Sequence, residues 1–120
     1  MKTDTTTITH AAIILADVPY IDYHPHQHHG KHFYVVVANS KACAYSPVVQ
    51  AVPMSSNINR HLPVQVEVFS EAFSKRRYAL ADQLTLLPRE ILERGKYCGT
   101  LCAEEMKKIQ HIIKIQLALD

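Results

Sequence analysis

Residues 32–40, His-Phe-Tyr-Val-Val-Val-Ala-Asn-Ser, constrain the fold more than any other part of the chain. Aromatic and β-branched residues favour strands. A strand with one wet face alternates apolar and polar residues, because successive side chains point to opposite sides. This run is continuous instead, so both of its faces are expected to be buried. A core of that kind is within reach of 120 residues that are 48% hydrophobic, which is one domain's worth of chain.

The neighbouring segments supply further strands. Residues 11–18, AAIILADV, read as a short apolar first strand. Residues 41–46 read as a connector or single helical turn, and 47–55, PVVQAVPMS, as a third strand. Pro53 near its end suggests an edge or a bulge, since proline cannot donate to a ladder. In 62–69, Val64, Val66 and Val68 alternate with Gln65 and Glu67, the mark of a half-exposed antiparallel strand. Residues 70–77 read as a loop, and 78–87 as one or two short strands. Pro88 and Gly95 bracket a short helix. Residues 102–119 form an amphipathic helix, with Met106, Ile109, Ile112, Ile113 and Leu117 on one stripe. Glu104 and Glu105 in its first turn suit the helix dipole. Strands followed by helices give the α+β class: a small antiparallel, barrel-like sheet with helices packed on it.

Composition excludes several classes. Thirteen basic residues against eleven acidic leave a formal charge of +2, compatible with nucleic acid without arguing for it. The one dense basic run is Lys75, Arg76 and Arg77, expected to be a solvated loop that in a dimer could also meet phosphate or an acidic antitoxin. Three cysteines form no framework, and Cys98 and Cys102 are one residue too far apart for the usual redox or zinc spacing. Reduced thiols and a cytoplasmic location are expected. No leader pattern and no membrane-length apolar run is present. Residues 1–9 are expected to be a flexible, threonine-rich tail, and 10–120 a single domain without repeats or linker.

The strings ILADV, VVVANSKACAYSPVVQAVPMSSNINRHLPVQVEV, ALADQLTLL and YCGTLCAEEMKKIQHIIKIQLAL together resemble the MazF/PemK family of toxin–antitoxin toxins, from about residue 10 to the C-terminus. The resemblance implies a strongly twisted antiparallel sheet, SH3-barrel-like, with a C-terminal helix. It implies a homodimer with its active site at the interface, and sequence-specific, metal-independent cleavage of single-stranded RNA. It also implies a cognate antitoxin that covers the RNA surface, and no cofactor. Residue by residue, the family's arginine after the loop glycine falls on His32 and the proline after it on Phe33. The threonine ending the third strand falls on Ser55. The Glu-Gln pair falls on Asp82 and Gln83, and the arginine after it on Thr85. The Arg-Gly-Asp before the first strand falls on His10, Ala11 and Ala12. Three family arginines are thus replaced, two of them by histidine. That departure feeds an alternative: a non-cleaving member of the fold that acts as a binding protein, as the related gyrase poisons do.

Residues 24–32, HPHQHHGKH, hold five of the eight histidines. Three readings stand side by side. The stretch is a solvated loop between the first two strands. Or His24, His26, His28, His29 and His32 gather a metal such as zinc, copper or nickel, although no closed ligand set is evident. Or His32, with His28 or His29, transfers protons in RNA cleavage. Attack by a 2′-hydroxyl needs a base for its proton, an acid for the leaving 5′-oxygen and a stabiliser of phosphorane charge. Histidine, with an ordinary pKa of about 6.5, suits either proton task. Arginine holds its proton and forks onto phosphate instead, so Lys31 is the adjacent candidate for the missing charge.

His32 and Ser55 are therefore the candidate catalytic residues. Lys31, His29, Ser56, Asp82 and Gln83 are the candidate RNA contacts, the Gln83 amide being suited to reading a base edge. Tyr20, Tyr23, Phe33 and Tyr34 are candidates for stacking on bases, with core packing the competing reading for Phe33 and Tyr34.

Overall fold

The structure, a computed structural model, describes residues 6–19, 30–56 and 63–119. Strands β1 (Ala12–Val18), β2 (Gly30–Val36), β3 (Val48–Ser55), β4 (Gln65–Val68), β5 (Arg77–Leu80), β6 (Thr85–Pro88) and β7 (Lys96–Thr100) form one antiparallel sheet. Helices α1 (Ser40–Tyr45), α2 (Arg89–Glu93) and α3 (Ala103–Gln116) lie against it. The pairing path runs β4-β5-β3-β2-β1-β7, with β6 also pairing β3. Among the described residues the path ends at β4 and β7, so the sheet is open where a closed barrel was one expectation.

The continuous apolar run does have two buried faces. Ile13, Val35, Val52, Met54 and Ala79 pack on one side with Met106, Ile109 and Ile112 of α3. Ile14, Tyr34, Val36, Val49, Ala51 and Leu87 pack on the other with Cys43 of α1 and Leu92 of α2. Burying an aliphatic side chain of this size stabilises by roughly 1.5–3 kcal/mol, so each layer holds its helix firmly. The run ends sooner than its apolar character suggests. Asn39 caps α1, its side-chain oxygen accepting from Ala42 N–H at 2.8 Å, as a short polar side chain does at a helix start.

Pro53 is not at an edge. It sits in central β3, opposite Tyr34 of β2. Val37 N–H donates to Gln50 O at 3.1 Å. Bonded pairs alternate along an antiparallel ladder, so Tyr34 and Pro53 form a non-bonded pair and proline's missing N–H faces away from β2. On that far side β3 changes partner, from β6 up to Ala51 to β5 from Met54 onward. The proline occupies the gap between the two.

Strand β7 carries no apolar pattern and was not expected. Among the described residues it is an outer strand paired only with β1, largely exposed, with its register shifted between Ile13 and Ile14. On the helix stripe Met106, Ile109 and Ile112 are buried, while Leu117 is 50% exposed. Ahead of β1, Ile8 is buried, and Thr6 N–H donates to Glu93 O at 3.0 Å. The three cysteines are free thiols, and burial pushes the Cys43 thiol up.

Candidate functional site

Register brings the two candidate catalytic residues together. Phe33 of β2 lies opposite Met54 of β3, so one further residue along this pair sets His32 beside Ser55. Across the other neighbours, His32 lies opposite Ala16 of β1, Ser55 opposite Tyr78 of β5, and Tyr78 opposite Glu67 of β4. Paired residues project to the same face, and adjacent strands are about 4.8 Å apart. Ala16, His32, Ser55, Tyr78 and Glu67 thus form one row across five strands. Ser55 has His32 and Tyr78 as its two lateral neighbours.

The row lies on the face that carries Tyr34 and Val36, away from α3. His32, Ser55, Tyr78 and Glu67 are all half-buried, so the row opens to solvent along a floor that is otherwise apolar. Tyr34, two residues along from His32, is fully buried and unavailable for stacking on a base. Burial, and secondarily the negative charge of Asp17, pushes its hydroxyl up to about 12. Phe33 turns to the opposite face, where it meets Phe73 edge-on at 5.2 Å and the Arg77 guanidinium at 5.0 Å from its ring centroid.

The other expected contacts spread out from the row. Ser56 follows β3 and is exposed. Asp82 and Gln83 lie in a single 3-10 turn, Ala81–Gln83, after β5. The Asp82 carboxylate accepts from Gln65 Nε2 at 3.3 Å, which ties that turn to the face bearing Glu67. Lys31 precedes His32 in the strand, so its side chain leaves from the other face. It lies opposite Asp17 and lines a separate open groove of about 520 Å³ with Leu15, Arg94 and Lys96. His10 sits at the far end of β1, its Nδ1 3.1 Å from Ala38 O. Thr85 lies opposite Ala51 in β6. His24, His26, His28, His29, Tyr20 and Tyr23 lie outside the described residues. Among the described residues, no three of His, Cys, Asp and Glu gather closely enough to hold a metal ion.

Two residues of this face, Glu67 and Tyr78, were not singled out as site residues by sequence. Glu67 and Tyr78 join the row through strand pairing, and Arg76 reaches it by an ion pair, its Nε 2.6 Å from Glu67 Oε2. The alternation of Gln65 and Glu67 with valines gave their facing. Only the register could give their neighbours.

A profile of the PemK-like, MazF-like toxins of type II toxin–antitoxin systems matches residues 9–117. Among curated proteins, none matches the chain by sequence. Several solved structures share its fold. MazF from Deinococcus radiodurans superposes with a TM-score of 0.77 at 14% identity, over 94% of this chain and 98% of that one. An endoribonuclease from a mycobacterial species, in complex with its cognate antitoxin, gives 0.75 at 21% identity over 94% and 97%. The Mycobacterium tuberculosis toxin MazF-mt6 gives 0.69 at 18% identity over 91% and 98%. No described helix is long and apolar enough to cross a membrane.

Proposed function

The chain belongs to the PemK-like, MazF-like family of type II toxin–antitoxin toxins, and from that premise we propose that it is a cytoplasmic, metal-independent endoribonuclease cutting single-stranded RNA at the His32–Ser55 row. The observation that carries this reading is the adjacency of a histidine and a hydroxyl in one open, half-buried row. They stand where the family resemblance sets its arginine and threonine. In the proposed reaction the 2′-oxygen bonds to phosphorus and the bond from phosphorus to the 5′-oxygen breaks. The 2′-hydroxyl proton leaves to a base, and the departing 5′-oxygen gains one. His32 performs one of these transfers. The Ser55 hydroxyl donates to a non-bridging phosphoryl oxygen. Products are a 2′,3′-cyclic phosphate and a 5′-hydroxyl, and the atoms balance without a metal.

Ser56, Asp82 and Gln83 are the proposed contacts to flanking nucleotides, together with His29, which precedes Gly30 at the start of β2 in sequence. Lys31, directed into its own groove, meets the backbone further along the strand. A homodimer and a cognate antitoxin complete the reading. The endoribonuclease from a mycobacterial species in complex with its antitoxin supports the second of these.

The test is a pair of variants. His32→Ala and Ser55→Ala should each lower cleavage by about 10²- to 10⁴-fold, the size of a general acid–base or oxyanion contribution. Binding of 2′-O-methylated RNA, which lacks the attacking hydroxyl, should change little. Undiminished cleavage by His32→Ala would overturn the assignment. An inactive wild type that becomes active on His32→Arg would instead mean that the histidine is a disabled arginine position. The non-cleaving alternative would then hold.

A further inference from the structure

The ribonuclease reading leaves one requirement unmet, and this inference rests on that reading. Charge builds on the phosphate during attack, and the arginine positions implied by the family resemblance hold His10, His32 and Thr85. Histidine that moves a proton cannot also serve as a permanent cation. The described basic residues near the row are few. Lys31 leaves from the other face, and Arg77 lies against Phe33 on the other face. Arg94 pairs with Glu90 on α2, and Arg89 pairs with Glu93.

Arg76 is different. It lies one residue ahead of β5 and follows the same alternation as Tyr78, so it projects to the face of the row. Its Nε meets Glu67 Oε2 at 2.6 Å. Tyr78 is the lateral neighbour of Ser55. The Arg76 side chain nevertheless stays 68% exposed. A guanidinium carries five N–H donors in a fixed fork, more than one carboxylate oxygen can take.

We propose that Arg76, paired with Glu67 at the end of the His32–Ser55 row, binds the RNA phosphate beside Ser55. The planar fork matches a phosphate bidentately. Glu67 acts as a positioning residue here: it fixes the guanidinium without touching RNA. An ordinary surface ion pair would give the same contact distance, so the test must separate the two.

The assay is fluorescence anisotropy of a short 2′-O-methylated single-stranded RNA across a salt series, with the full chain. Each phosphate contact on single-stranded nucleic acid contributes about 0.7 to the slope of log affinity against log salt. Arg76→Gln should weaken binding about tenfold and lower the slope by about 0.7. Arg76→Lys should restore the slope while leaving affinity below wild type, because the charge returns without the fork. Glu67→Gln should leave the slope intact, although it breaks the same ion pair. Wild-type affinity and slope in Arg76→Gln, with an unchanged circular dichroism spectrum, would overturn the assignment while leaving the ribonuclease reading standing. A wild type that binds RNA with the predicted Arg76 dependence but cleaves nothing would sink the ribonuclease reading and leave Arg76 as a phosphate site. A wild type that binds no RNA would sink both.

Discussion

Gly95 joins α2 to β7, and adding one methyl group there tests how tightly that corner is built. A Cβ at this position would lie 2.7 Å from Ile14 Cγ2, 2.8 Å from Leu15 O and 3.2 Å from Leu92 O. Carbon atoms pack at about 3.5–4 Å, so the first contact is short by roughly 1 Å and the second by roughly half as much. Ile14 is fully buried and cannot swing away. Leu15 belongs to β1, which is paired on both sides, so its carbonyl moves only with the sheet. Overpacking of this kind costs about 1–3 kcal/mol, and the stiffness of both obstacles sets the upper end. Replacing glycine returns about 0.4–1 kcal/mol by restricting the unfolded chain. Gly95→Ala should therefore destabilise by about 2 kcal/mol. With urea slopes of about 1–3 kcal/mol per molar, the midpoint should fall by about 1 M at fixed protein concentration. An unchanged urea midpoint would refute the packing argument at this corner.

Alkaline stability should report Tyr34. Its pKa is about 12 when folded against about 10 when unfolded, so its contribution is complete below pH 10 and is lost as pH rises through 12. Wild type should lose up to about 2–3 kcal/mol more than Tyr34→Phe across that window, read from denaturant midpoints. At the end of α3, Leu119 N–H bonds Lys114 O and Ala118 N–H bonds Ile115 O, with Ala118 exposed at a φ of 56°. This is the closing motif in which glycine is favoured, so Ala118→Gly should raise stability by about 0.5–1 kcal/mol in thermal unfolding. Light scattering should find a dimer, consistent with the exposed Leu86, Ile115, Leu117 and Leu119; a monomer at all concentrations would remove the composite-site model.

Much of the fold was legible because its signals are local. The unbroken apolar run announced a strand buried on both faces, the valine alternation of 64–68 announced a strand with one wet face, and the stripe on α3 announced its packing. Pro53 misled because an edge is the usual home of a strand proline, whereas here a change of neighbour frees the same hydrogen-bonding position. Strand β7 was hidden because an outer strand needs no apolar pattern. Within the site, His32 and Ser55 were reachable through the family resemblance, but their adjacency, and the arrival of Tyr78, Glu67 and Arg76 beside them, depends on register across four strand pairs. A run such as Lys75-Arg76-Arg77 reads as solvent-facing until the pairing shows that Arg76 and Arg77 serve opposite faces.

The most direct measurement is to incubate the purified chain with a long unstructured RNA in excess chelator and to analyse the ends of the products. The account predicts discrete fragments from cuts at a defined sequence, with 2′,3′-cyclic phosphate and 5′-hydroxyl ends, and loss of those fragments in Ser55→Ala. Intact RNA, or cleavage that appears only when a divalent ion is restored, would contradict it.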